Sequence, residues 1–244
     1  MPENSIEMMT AEFTRHHFLL WRCLHDGPLG KETIDEWKAG SAMPWAALRA
    51  RNLPLLQKII DVYAACAVVA LDGDLVVGQL RFYPKNVWQL AGSGMLCMQQ
   101  FPPDGPGEDF VCNSFPPMDQ LAEKTLVVHC MMTGCPTLPE HPYQRKGIAT
   151  RMVHKLIVWA GQTGWEAIEA TAYEELEVLY QVTGQAGRRF WEKIGFEVAE
   201  TSMEEGFLQA EGFLEAMRAE AVAKGMDLDS IMKKYTMHLD IGSS

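Results

Sequence analysis

The apolar positions of this chain fall into blocks with two periods. Leu55, Leu56, Ile59 and Ile60 recur at the spacing of one helix face, and Pro54 before them suits a first helical turn. Residues 11–62 as a whole read as largely helical. The period then changes: 66–71 and 75–83 are short β-rich runs separated by Asp72-Gly73. Asp-Gly between such runs predicts a tight hairpin, because glycine accepts the positive φ of the turn. A buried strand is expected over 125–132. After it, Ile148, Met152, Val153, Leu156, Ile157 and Ala160 make a helical stripe over 147–160, with Gly161 as its stop. Further on come a strand at 165–172, a helix at 185–194 ended by Gly195, a strand from Phe196, one or two amphipathic helices in 204–234, and a closing strand at 234–241.

This order predicts an α/β (α+β) fold: a mixed, mostly antiparallel sheet of about 6–7 strands with helices on both faces. The two strands flanking the 147–160 helix should be parallel and joined by a right-handed crossover. No internal repeat is visible. The chain reads as a single domain over 1–244, with a helical N-terminal region to about residue 62 and an irregular insertion over about 84–124. Prolines in Phe101-Pro102-Pro103 and Phe115-Pro116-Pro117 exclude a central strand or continuous helix there. The insertion's aromatics suit a lid or a substrate wall as well as plain surface.

Composition narrows the functional classes. The chain of 244 residues is 48% hydrophobic and 22% charged, as a packed protein should be, with a formal net charge of −11. That balance argues against a nucleic-acid partner and fits weakly with a cationic substrate. No segment is apolar for the roughly 20 residues of a membrane helix, and residues 1–10 do not read as a signal peptide. The cytoplasm is the default expectation. None of the six cysteines forms a C-x-x-C pair. Cys130, Cys135 and His141 come nearest to a zinc set, and no metal is expected.

Candidate chemistry begins at Gln144-Arg145-Lys146-Gly147-Ile148-Ala149-Thr150, where a strand and a glycine turn lead into a helix. The first N–H groups of a helix lack internal partners and carry the positive end of its dipole, so they bind phosphate. Arg145 and Lys146 add formal charge, and Gly147 permits close approach. No Walker loop is present. Gly92-Ser93-Gly94 starts a dinucleotide fingerprint but has Cys97 at the third glycine position.

Pro142-Tyr143-Gln144-Arg145-Lys146-Gly147-Ile148-Ala149-Thr150 resembles the acyl-CoA motif Q/R-x-x-G-x-G/A of the GNAT acyltransferases. Phe190-Trp191-Glu192-Lys193-Ile194-Gly195-Phe196 resembles that family's F-Y-E-K-L-G-F, and the Asp72-Gly73 hairpin suits its second and third strands. The resemblance covers about 60–200 plus the last strand.

It implies a GNAT-like sheet splayed at the parallel strand pair, with a pantetheine arm in the gap. It also implies transfer of an acetyl or other acyl group from acetyl-CoA, the co-substrate, to a primary amine of a small molecule or peptide. Carried over by position, Gln144 to Thr150 would bind the pyrophosphate. Cys130, Met131 and Met132 would pair with pantetheine and polarise the thioester. The family often has a tyrosine where this chain has Trp191, and an asparagine where it has Gly184. Tyr180, from the preceding segment, or a water is therefore the candidate acid. His129 is the first candidate base, followed by Glu169, Glu174 and Glu175. A non-catalytic acyl-CoA sensor is the alternative, and a homodimer stays open.

Overall fold

The computed structural model describes residues 9–20, 45–87, 89, 115–134, 143–209 and 212–242. Among the described residues there are seven strands: β1 (Met9–Glu12), β2 (Ala67–Asp72), β3 (Leu75–Pro84), β4 (Thr125–Thr133), β5 (Ala167–Ala172), β6 (Glu197–Met203) and β7 (Lys233–Asp240). Around them lie α1 (Trp45–Tyr63), α2 (Ile148–Gln162), α3 (Glu177–Thr183), α4 (Arg188–Glu192) and α5 (Phe213–Ala223). The strands form one sheet in the order β1-β2-β3-β4-β5-β7-β6. Only β4 and β5 pair in parallel, across α2; every other neighbouring pair is antiparallel. The mixed sheet and its single parallel pair are as the patterning predicted.

Local chemistry explains the elements that position the site. Gly73 takes a φ of 58° in the β2–β3 turn. The α2 stripe packs on the sheet: Ile148, Met152, Val153, Leu156 and Ala160 are buried, and Trp159 joins them. Gly78 lets α2 approach, since a Cβ there would stand 3.0 Å from Ile148 Cγ2. The sheet, α1 and α2 share one apolar core. A second cluster is separate: Leu176 and Leu179 of the α3 region pack with Met217 and Ala221 of α5, and with Tyr173, Phe207 and Ile231.

Several expectations need correction. Residues 9–12 are a strand paired with β2, not helix; Phe13 beyond it is fully buried. Pro54 lies inside α1 rather than in its first turn. Such a proline removes one helical bond at a cost of about 3 kcal/mol, and the buried Leu55, Leu56, Ile59 and Ile60 offset it. β3 runs through Pro84 at the edge of the expected insertion. α2 passes Gly161 and closes at Gly164, whose φ is 85°. The segment containing Tyr180 is a short helix, α3, that periodicity missed because seven residues show barely two turns. The prolines of 102–106, Gly92-Ser93-Gly94, Cys135 and His141 lie outside the described residues.

Candidate functional site

The sheet opens between β4 and β5, beyond the Val128↔Ala170 pair. Their pairing extends from Thr125↔Ala167 to Val128↔Ala170 and stops, while β4 continues to Thr133. On its other edge β4 pairs Cys130 with Arg81 and Val128 with Phe82, leaving His129 as an extra residue. A bulge of this kind sets the extra residue outside the ladder register and bends the strand.

The loop after α3 closes on the exposed edge of β4. Met131 N–H donates to the Gly184 carbonyl at 3.0 Å, and Gln185 Nε2 donates to the His129 carbonyl. Of Cys130 to Met132, expected to pair with pantetheine, the Met131 N–H is engaged by this loop. The reason is that a buried strand edge must have its donors and acceptors satisfied. Gly184 ends α3 with a φ of 65°, a left-handed conformation that glycine and asparagine tolerate best. The glycine at this position therefore preserves the backbone shape an asparagine would give.

Beside this opening lies a cleft of about 500 Å³, into which Met131, Thr133, Gln144, Arg145, Tyr180 and Phe190 project. Its floor is β4, and one wall is the turn before α2. That turn is tied to the β2–β3 hairpin, because the Tyr143 hydroxyl donates to Asp72 Oδ2 at 2.8 Å. Arg145 and Gly147 both take positive φ, 59° and 72°. No heavy atom lies within 4 Å of where a Gly147 Cβ would stand, so the space above it is open. The first helical bond of α2 runs from Arg151 N–H to the Gly147 carbonyl, 3.0 Å. The N–H groups of Ile148, Ala149 and Thr150 precede it and have no acceptor within the helix. Ile148 turns its side chain into the core and offers only its N–H, whereas Gln144, Arg145 and Lys146 are exposed. The first turn of α2 contains no acidic residue. Main-chain donors, two cations and open space are a donor set that suits a diphosphate.

The predicted catalytic residues do not all gather here. Tyr180 lines the cleft, with its hydroxyl hydrogen-bonded to Thr133; burial leads the causes that raise its pKa above the ordinary phenol value. His129 does not line the cleft and is 7% exposed. Burial, reinforced by nearby Arg81, pushes its pKa down to about 3. Buried and outside the cleft lining, its ring has no path to a substrate ammonium. Glu169 is 2.8 Å from Lys85 Nζ in an ion pair and does not line the cleft. Glu174 is buried and accepts a 2.7 Å hydrogen bond from the Tyr235 hydroxyl. It lines a second cavity, of about 400 Å³. Glu175 and Lys224 line both cavities.

Glu175 is held in place. Its Oε1 accepts the Arg189 N–H at 2.5 Å. Its side chain lies across Gly187, where an added Cβ would come within 2.7 Å of Glu175 Cγ. Trp191 is fully buried between Phe190 and Phe196, with ring centroids 5.2 and 4.9 Å away. Phe190, one residue earlier, faces the cleft instead. Phe190 and Lys224 were missed as site residues. Phe190 was visible only as motif context, and Lys224 ends a helix more than thirty residues downstream with no motif around it. Among the described residues no group of three metal-binding side chains comes together, and no helix is long and apolar enough to cross a membrane.

No protein-family model matches this chain, and no curated protein does. Solved structures do resemble it. One is a GNAT-family acetyltransferase from Streptococcus pneumoniae: TM-score 0.48, 11% identity, 97% of this chain and 100% of that one covered. Another is the ribosomal-protein-S18-alanine N-acetyltransferase of Escherichia coli: TM-score 0.46, 9% identity, coverage 97% and 96%. A third is Naa50 of Arabidopsis thaliana in complex with the bisubstrate analogue CoA-Ac-MVNAL: TM-score 0.43, 10% identity, coverage 95% and 97%. The first of these is named as a GNAT-family acetyltransferase. What the cleft does must be read from this chain's own residues.

Proposed function

We propose that this chain is a GNAT-type N-acyltransferase that moves an acetyl group from acetyl-CoA to a primary amine of a small molecule or peptide. One observation carries the reading. The glycine turn that opens α2, the end of β4 and Tyr180 face a single cleft where the only parallel pair of the sheet comes apart. In this reading the N–H groups of Ile148 to Thr150 bind the pyrophosphate, with Arg145 and Lys146 supplying charge. Met131 and Phe190 pack against the arm that carries the thioester. Once the ammonium has lost a proton, the amine nitrogen attacks the acyl carbon, the carbon–sulfur bond breaks, the Tyr180 phenol gives its proton to the departing thiolate, and the second proton shed by the nitrogen restores the phenol. Glu175, fixed over Gly187 at the meeting of the two cavities, receives the ammonium and takes its proton through water. It takes the role first expected of His129.

The engagement of the Met131 N–H favours a second reading, an acyl-CoA sensor in which no main-chain donor polarises the thioester. Thiol release measured against a library of amines separates the two, since a sensor binds without turnover.

Gly147→Glu tests the shared premise. A left-handed φ, added bulk and a carboxylate at the phosphate position should abolish acetyl-CoA binding in calorimetry while the fold is kept. Retained binding would refute the pyrophosphate site.

A further inference from the structure

α3 carries Tyr180, yet it has only seven residues and its N-cap, Leu176, makes no side-chain cap bond. A helix that short is marginal unless its ends are held. Its C-terminal end is held by β4, through the bond from Met131 N–H to Gly184. Its N-terminal end is held by α5. Glu220 Oε1 accepts the Glu177 N–H at 2.7 Å, and Oε2 accepts the Val178 N–H at 3.1 Å. One turn further along α5, Lys224 Nζ lies 2.6 Å from the Glu220 carboxylate and donates to the Glu175 carbonyl at 2.8 Å. A carboxylate on two first-turn N–H groups replaces the missing cap and opposes the positive end of the α3 dipole. Below these bonds Leu176 and Leu179 pack against Met217 and Ala221.

We infer that Glu220 and Lys224 are positioning residues: they clamp α3 to α5, and so hold Glu175 and Tyr180 against the cleft. The role in catalysis rests on the acyl-transfer reading; the clamp itself does not. Tyr180 stands one turn beyond Glu177, so loss of the cap frees the turn from which its side chain reaches Thr133. Burial raises the Glu220 pKa, but Lys224 and the two N–H groups bring it to a net value below the ordinary one, so the clamp is charged at neutral pH.

The full chain carrying Glu220→Gln, which keeps the shape and removes the charge, tests this by amide hydrogen exchange. Exchange over 177–183 should quicken about 5- to 30-fold, the effect of losing a cap, while exchange over 148–162 is unchanged. Lys224→Met should act in the same direction and Lys224→Arg should restore protection. With an amine that supports thiol release, kcat should fall while the affinity for acetyl-CoA is kept. Unchanged exchange over 177–183, or an equal rise over 148–162 that marks general loosening, overturns the clamp. Absence of thiol release by the unaltered protein with every amine would instead remove the acyl-transfer reading, and the exchange result would still decide the clamp.

Discussion

A phenol that protonates a leaving thiolate must itself stay protonated at working pH. Burial raises the Tyr180 pKa above its ordinary value, so this condition holds throughout the neutral range. Tyr180→Phe keeps the ring and deletes the proton. It should lower kcat by about 100-fold or less, toward the lower end of what a general acid contributes, because CoA is already a fair leaving group. Acetyl-CoA affinity in calorimetry should not change. A kcat equal to that of the parent would clear Tyr180 of the role. His129 stands at the other extreme: burial pushes its pKa down to about 3, and its ring is outside the cleft lining.

At the scale of elements, the phosphate turn depends on a hairpin far from it in sequence. The bond from Tyr143 to Asp72 connects the approach to α2 with the β2–β3 turn. Burial, with Asp72 adding to it, pushes the Tyr143 phenol up to about 12, so the bond persists at any ordinary pH. Tyr143→Phe removes one partly buried hydrogen bond, worth about 0.5–1.5 kcal/mol. The melting temperature should fall slightly and acetyl-CoA binding should weaken by about 2- to 10-fold, the same energy seen as affinity. Thermal shift and calorimetry check both, and an unchanged affinity would show that the turn is shaped by its own residues.

For the whole molecule, the buried histidine sets a limit on acid stability. The pKa of His129 is about 3 in the fold and about 6.5 when unfolded. Below pH 6.5 the unfolded chain takes up a proton that the fold refuses. The associated stability is complete above about pH 6.5 and is lost as pH falls toward 3. His17, pushed down to about 4 by burial, acts in the same direction. The unfolding midpoint in denaturant should therefore drop between pH 7 and pH 4.5, and His129→Gln should reduce that drop. An equal drop in the variant would assign acid loss to other groups. β6 forms one edge of the sheet: all seven of its residues are exposed, and Glu197, Glu200 and a register shift at Val198/Glu200 blunt this edge against further pairing.

The sequence alone determined what local periods and turn chemistry encode. The hairpin at Asp72-Gly73, the α2 stripe, the strand blocks and the glycine turn at 144–150 were legible because each depends on neighbours within a few residues. Tertiary structure decided the rest. His129 and Tyr180 are both polar residues near the motifs, and only the bulge in β4 and the burial around it separate a structural histidine from a cleft tyrosine. Pro54 and the 177–183 segment violate or barely show a helical signal, and packing against Leu55, Ile59 and α5 overrides it. Glu175, Glu220 and Lys224 carry no motif: their positions follow from α5 folding back on α3 across more than forty residues. Such pairings are set by which surfaces meet, and that depends on the sum of many weak contacts rather than on any short stretch of chain.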